Sequence, residues 1–198
     1  MGEVVLDDRR LDFPFHSGRP CLDFAGTMGR RGHLDIERIA TGERVKRWGV
    51  EAGLLPPDGA PGPVSEHTAR QARALREAIY RAVRAKMAGT APDPEDTATV
   101  NRWARRAPLP LALSADGRGL DWAGTESVLG MLASLARDAV ELLTGVDAPR
   151  LRECAGPTCT VIFLDQSRTN SRRWCSMDLC GNREKKASFR QKTRPNKG

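Results

Sequence analysis

Long apolar runs are missing from this 198-residue chain. The longest stretch without a charge is the eleven residues from Cys154 to Leu164. A helical membrane span needs ~20, so a transmembrane helix is excluded. The first ten residues, Met1 to Arg10, lack the basic-then-apolar order of a signal peptide, and a cytoplasmic protein is expected. Histidine is scarce: His16, His33 and His67 share no motif with one another or with a Ser or Cys nucleophile. Glycine loops of the P-loop or dinucleotide type are absent. So is the His-x-Glu and Pro-Cys-x-x-Cys combination of the zinc deaminases. With no nucleophile, base and oxyanion donors to assemble, an enzyme is the least expected class. Aromatics are only 5% of the residues, yet 39% are hydrophobic, enough for a core and against disorder throughout.

Lysine is also rare, 6 residues against 26 Arg. A GC-rich genome inflates Arg everywhere, so the Arg count alone says little, but codon bias does not favour Lys. Four of the six, Lys185, Lys186, Lys192 and Lys197, fall in the final fourteen residues. The net charge of +7 is therefore unevenly placed: residues 150–198 carry +8 and residues 1–149 carry −1. A basic segment on a near-neutral body points to a polyanionic partner, most often nucleic acid.

The remaining sequence shows no repeat. Leu11 to Phe15 and Cys21 to Phe24 alternate apolar and polar residues, and either fits a short strand. Thr41 caps a helix that ends near Gly53, and Pro56 to Pro63 is a loop. From Ser65 to Met87, Ala69, Ala72, Leu75, Ile79 and Val83 fall at spacings of three and four, an amphipathic helix closed by Gly89. Asp93-Pro94 opens another helix that runs to Arg106. Leu109 to Leu113 and Leu120 to Trp122 form a hairpin about Asp116-Gly117. Thr125 then caps a last long helix to Thr144. Trp48, Trp103 and Trp122 are expected in the core, and Cys21 as a buried thiol. The pattern is α+β: a mostly helical N-terminal domain with a β-hairpin, over residues 1–148.

Residues 149–198 carry the chemistry. Cys154, Cys159, Cys175 and Cys180 read C-x4-C-x15-C-x4-C. Where disulfides are disfavoured, such paired spacing indicates zinc, which takes four thiolates in a tetrahedron. Gly156-Pro157 suits a knuckle, Thr160 to Leu164 a strand, and Arg172 to Trp174 leads back to the metal. Ser176 caps a helix carrying Cys180, and Trp174 packs against the unit. Knuckle, hairpin and helix make a small treble-clef-like finger. Four thiolates leave no open position, so the single Zn2+ is expected to be structural.

The run from Arg168 to Arg183, ending Cys180-Gly-Asn-Arg183, resembles the CGNR-type zinc finger. Cys21-Leu-Asp-Phe-Ala-Gly-Thr27 followed by Arg30 resembles the opening of the ABATE domain, which precedes this finger in bacterial stress-induced transcription regulators. The resemblance implies a four-Cys zinc site, matching the four residues above, and DNA binding.

The segment from Ser176 to Lys192 is expected to be helical, with Gly181 as its weak point. Arg183, Lys186 and Arg190 share one face, with Lys185 and Lys192 nearby, and Arg172 and Arg173 extend the basic surface. Asn182 offers a base-reading amide or a local backbone bond. The expected partner is duplex DNA. RNA and an acidic protein are the rival partners. One finger covers only ~600–1,000 Å² of DNA, which argues for a homodimer. Asp23, Thr27 and Arg30 form a candidate ligand pocket for a small-molecule effector, the simpler reading being a turn held by an Asp–Arg pair and a Thr hydroxyl. Deleting residues 150–198 is expected to abolish DNA binding and leave the helical domain folded.

Overall fold

The computed structural model describes residues 11–60, 62–121 and 127–193, with the side chains of 121 and 188–193 outside that description. The first helix, α1 (Pro20–Ala25), lies where Cys21 to Phe24 fits a strand. Four residues are too few to separate a period of 2 from one of 3.6. The deciding signal is Pro20 at the first helical position, where its missing N–H costs nothing. Cys21, Leu22, Phe24 and Ala25 are all buried, so this short helix is apolar almost all round. An orphan donor at its start is satisfied from afar: Cys21 N–H donates to the Asp138 carboxylate at 2.8 Å.

Strands β1 (Met28–Gly29) and β2 (Ile36–Glu37) pair antiparallel across a turn in which Arg30 and Asp35 hold left-handed φ of 52° and 45°. Helix α2 (Gly42–Glu51) is capped by Thr41, α3 (Glu66–Met87) by Ser65 and α4 (Pro94–Ala104) by Asp93. Each capping oxygen accepts a backbone N–H of the first turn. The hairpin of β3 (Ala112–Leu113) and β4 (Leu120–Asp121) turns at Gly117, φ 67°, and leaves Leu111 and Leu113 exposed. Trp122 and the expected cap Thr125 lie outside the described residues. Helix α5 (Val128–Thr144) is capped by Ser127.

Helices α1, α2 and α4 each pack against both α3 and α5. Trp48, Phe24, Leu75, Ile79, Leu132 and Leu135 are fully buried between them. Arg76, 2% exposed, forks onto Glu37 at 2.6 and 2.7 Å and reaches Glu77 at 2.8 Å. Arg31 also pairs with Glu77 at 2.5 Å and lies 4.0 Å over the Tyr80 ring. This buried network ties the β1–β2 turn to α3.

A short 3-10 turn (Ala148–Arg150) leads into β5 (Leu151–Glu153), which pairs antiparallel with β6 (Ile162–Leu164). The strand over Thr160 to Leu164 therefore has its partner upstream of the first Cys pair, and the knuckle sits at the hairpin's tip. Alternation divides β6 cleanly. Ile162 and Leu164, with Leu151, enter the main helical core, while Phe163 faces Cys154, Cys175 and Cys180. Leu164 N–H donates to Ser17 O at 2.8 Å, and Arg84 pairs with Glu153. One apolar core thus runs across residues 148/149. A π turn (Met177–Gly181) and helix α6 (Asn182–Thr193) complete the described chain.

Candidate metal centre and nucleic-acid interface

The four thiols meet because local structure turns each pair inward. Cys159 N–H closes on Gly156 O at 3.0 Å, shaping the knuckle, and a Cβ on Gly156 would lie 3.1 Å from Cys159 Cβ. Arg173 O accepts from Ala155 N–H at 2.8 Å, which brings the second pair beside the first. Ser176 caps the following turn through Leu179 N–H, and Cys180 N–H and Gly181 N–H share Ser176 O at 3.0 Å each. That shared acceptor is the π turn, a widening common at functional sites.

All four Sγ atoms lie within 4.8 Å of one another. Cys159 and Cys175 are 3.8 Å apart, and Cys175 and Cys180 3.7 Å. A tetrahedron of ~2.3 Å Zn–S bonds places its sulfurs ~3.8 Å apart, whereas a disulfide needs ~2.05 Å. The residues present fit zinc, and the protein has one structural four-Cys zinc site. Its electrostatics need the ion. Hydrogen bonds from Cys159 and Cys175 hold Cys154 strongly toward the thiolate, and the same bonds push Cys159 up to about 12 and Cys175 higher still. Burial, then the Cys154 charge, raises Cys180. Four crowded thiols cannot all ionise unless a cation takes up the charge. Cys175 N–H points at Cys154 Sγ, 3.4 Å away.

Of the residues expected at a nucleic-acid surface, Arg173, Asn182, Arg183, Lys185 and Lys186 are exposed beside this centre. Arg173 lies 4.9 Å over the Trp174 ring, and Trp174 packs against the metal cluster as expected. Asn182 makes no side-chain hydrogen bond among the described residues. The helix carries positions 190 and 192, but the Arg190 and Lys192 side chains lie outside the described residues. Arg172 is a correction. Its guanidinium donates to Trp174 O at 2.8 Å, His16 O at 3.3 Å and Cys175 O, and stacks 4.6 Å over Phe163. Half-buried, it spends its donors on these carbonyls and not on the basic surface.

The expected pocket of Asp23, Thr27 and Arg30 is not assembled. Asp23 accepts from His16 N–H at 3.0 Å and Ser17 N–H at 2.9 Å, and burial raises its carboxyl despite them. Thr27 is fully buried and donates to Phe24 O at 2.7 Å. Both serve the turn rather than a ligand, and no Asp23–Arg30 pair forms among the described residues. Arg30 alone borders a cleft, of about 150 Å³, together with Arg38 and Arg183. Nothing in the sequence distinguishes Arg38 from 25 other arginines. Its role appears only when the β1–β2 turn folds against the knuckle.

Two family models match the chain, consecutively. Residues 18–146 match the ABATE family, described as "Putative stress-induced transcription regulator", and residues 150–193 match the CGNR zinc finger. The chain belongs to the ABATE family. No curated protein shows a significant match to it. In this ABATE protein the helical body and the finger follow in the order that the two sequence motifs imply. None of its described helices is long and apolar enough to cross a membrane.

Proposed function

We propose that this ABATE-family chain is a zinc-dependent DNA-binding protein, a transcription regulator whose finger and α6 lie against duplex DNA. The observation that carries the reading is the exposed group Arg173, Arg183, Lys185 and Lys186, fixed around a metal-ordered helix start. Several arginines of the helical body differ: Arg19, Arg31, Arg73, Arg76, Arg81 and Arg84 are each held by a carboxylate. Unpaired cations on a rigid support suit phosphate contact, and a helix suits the major groove. The zinc orders the surface and does no chemistry, and the reading assigns no catalysis. The helical body senses a ligand or joins two copies, so that two fingers reach adjacent sites.

Purified zinc-loaded protein offered duplex DNA, structured RNA and an acidic polypeptide at fixed salt tests this directly. Duplex binding that dominates, and falls ~500-fold between 50 and 200 mM salt for about five phosphate contacts, is the expected result. Preference for RNA or for the polypeptide, or a flat salt dependence, overturns it.

A further inference from the structure

We propose that the cleft between the β1–β2 turn and the zinc knuckle binds an oxyanion, one phosphate group held by Arg30, Arg38 and Arg183. The site draws two cations from the helical body and one, Arg183, from the finger surface assigned above to DNA.

Three guanidinium-bearing side chains border one concavity of about 150 Å³, which reaches the zinc ligands Cys159, Cys175 and Cys180 on one wall and has no carboxylate in its lining. Drug-sized ligands occupy ~300–1,000 Å³, so this space suits a single phosphate rather than a whole nucleotide. The Arg30 and Arg183 side chains have no hydrogen-bond or ion-pair partner among the described residues. Among the described residues, Arg38 donates only to carbonyls, to Asp12 O at 2.9 Å and Gly26 O at 3.5 Å. Burial, then the neighbouring charges of Arg30 and Arg44, lowers the Arg38 guanidinium from its ordinary value. Four thiolates and one Zn2+ leave −2 beside these three cations, so positive charge remains for an oxyanion to meet through charge-assisted bonds.

The backbone is arranged for the same arrangement of cations. A Cβ on Gly29 would lie 2.3 Å from Arg38 Nη1, so only glycine lets the guanidinium rest there. Arg30 adopts φ 52°, a left-handed conformation that side chains other than glycine seldom take. His16 also borders the cleft, and its buried Nε2 has no hydrogen-bond partner. Such an atom is one that an ordered ligand satisfies.

The test is calorimetric titration of the zinc-loaded full chain with inorganic phosphate, at constant ionic strength against chloride. Saturable one-site binding is expected. Arg30→Ala and Gly29→Ala should each weaken it about tenfold or more, with circular dichroism and zinc content unchanged. If either fails to fold, Arg183→Ala, at an exposed position on α6, carries the same comparison. Titration in the presence of saturating duplex DNA separates the sources. Lost phosphate binding assigns the site to a backbone phosphate, and retained binding assigns it to a free phosphorylated small molecule; both support an oxyanion site. No saturable uptake beyond chloride overturns the proposal, as do variants with unchanged phosphate affinity. Variants that shed zinc while keeping that affinity overturn it too, because the cations would then only balance the metal thiolates.

Discussion

Arg172 joins three backbone carbonyls and the face of Phe163, so its charge is a bracket that holds the approach to Cys175. Replacing it with Ala leaves Trp174 O, His16 O and Cys175 O without that donor. The expected cost is about 2–3 kcal/mol, read as a lower urea midpoint with faster zinc release. Arg173→Ala, one residue away, should leave the midpoint within ~0.5 kcal/mol, as for a surface change. Glu77 makes a prediction about acid. Burial alone would raise its carboxyl, but the hydrogen bond and charge of Arg31, then of Arg76, outweigh burial and hold it below its ordinary 4.5. The unfolded chain thus binds the proton more readily than the folded one. The stability this carboxylate contributes is complete above 4.5 and is lost as pH falls through the lower folded value. Urea melts between pH 6 and 3 should show a steeper decline for the native chain than for Glu77→Gln. Equal slopes would remove Glu77 from the account.

At the scale of elements, β6 is the informative segment, because its alternation serves two masters. Leu164 belongs to the helical core and Phe163 to the metal cluster. Leu164→Ala should cost about 2–5 kcal/mol and Phe163→Ala about 3–5 kcal/mol. Well below the melting temperature, only Phe163→Ala should speed zinc transfer to a chromogenic chelator. The strand itself was legible from Thr160-Val-Ile-Phe-Leu164, but its partner was not. Leu151-Arg-Glu153 is three residues long, too short to show a period, and its pairing depends on the intervening knuckle that Cys159 N–H closes on Gly156 O. The long helices were legible almost to their ends, because Ser65, Thr41 and Asp93 each announce a cap. Cys21 to Phe24 misled because a helix buried on nearly every side has no polar face to give it away.

For the whole molecule, the zinc ligands were the most legible feature, since spacing and turn residues sufficed to name all four. The oxyanion cleft was the least. Arg30, Arg38 and Arg183 are far apart in sequence, and their meeting is a product of tertiary folding. The shared core also changes the deletion experiment. Leu151, Ile162 and Leu164 pack with the helices, so removing residues 150–198 uncovers apolar surface instead of freeing an intact body. The truncated chain should lose cooperativity in thermal melts followed at 222 nm. Stripping zinc from the full chain should lower its melting temperature in a single transition, because the hairpin transmits the loss to the helices. Two separate transitions would show instead that the finger melts alone.

The hairpin rooted in the core has a consequence for shuffling parts. A finger of this kind cannot be exchanged between chains as a cassette cut at its first cysteine. Its two arms end in side chains shaped for one particular set of helices, so a donor finger would bring foreign arms into the recipient's interior. A working chimaera has to keep the recipient's Leu151, Ile162 and Leu164 and replace only the tip, the ligand loop and the helix beyond it. Finger and body can then be recombined only by grafting, with the graft boundary inside the strands.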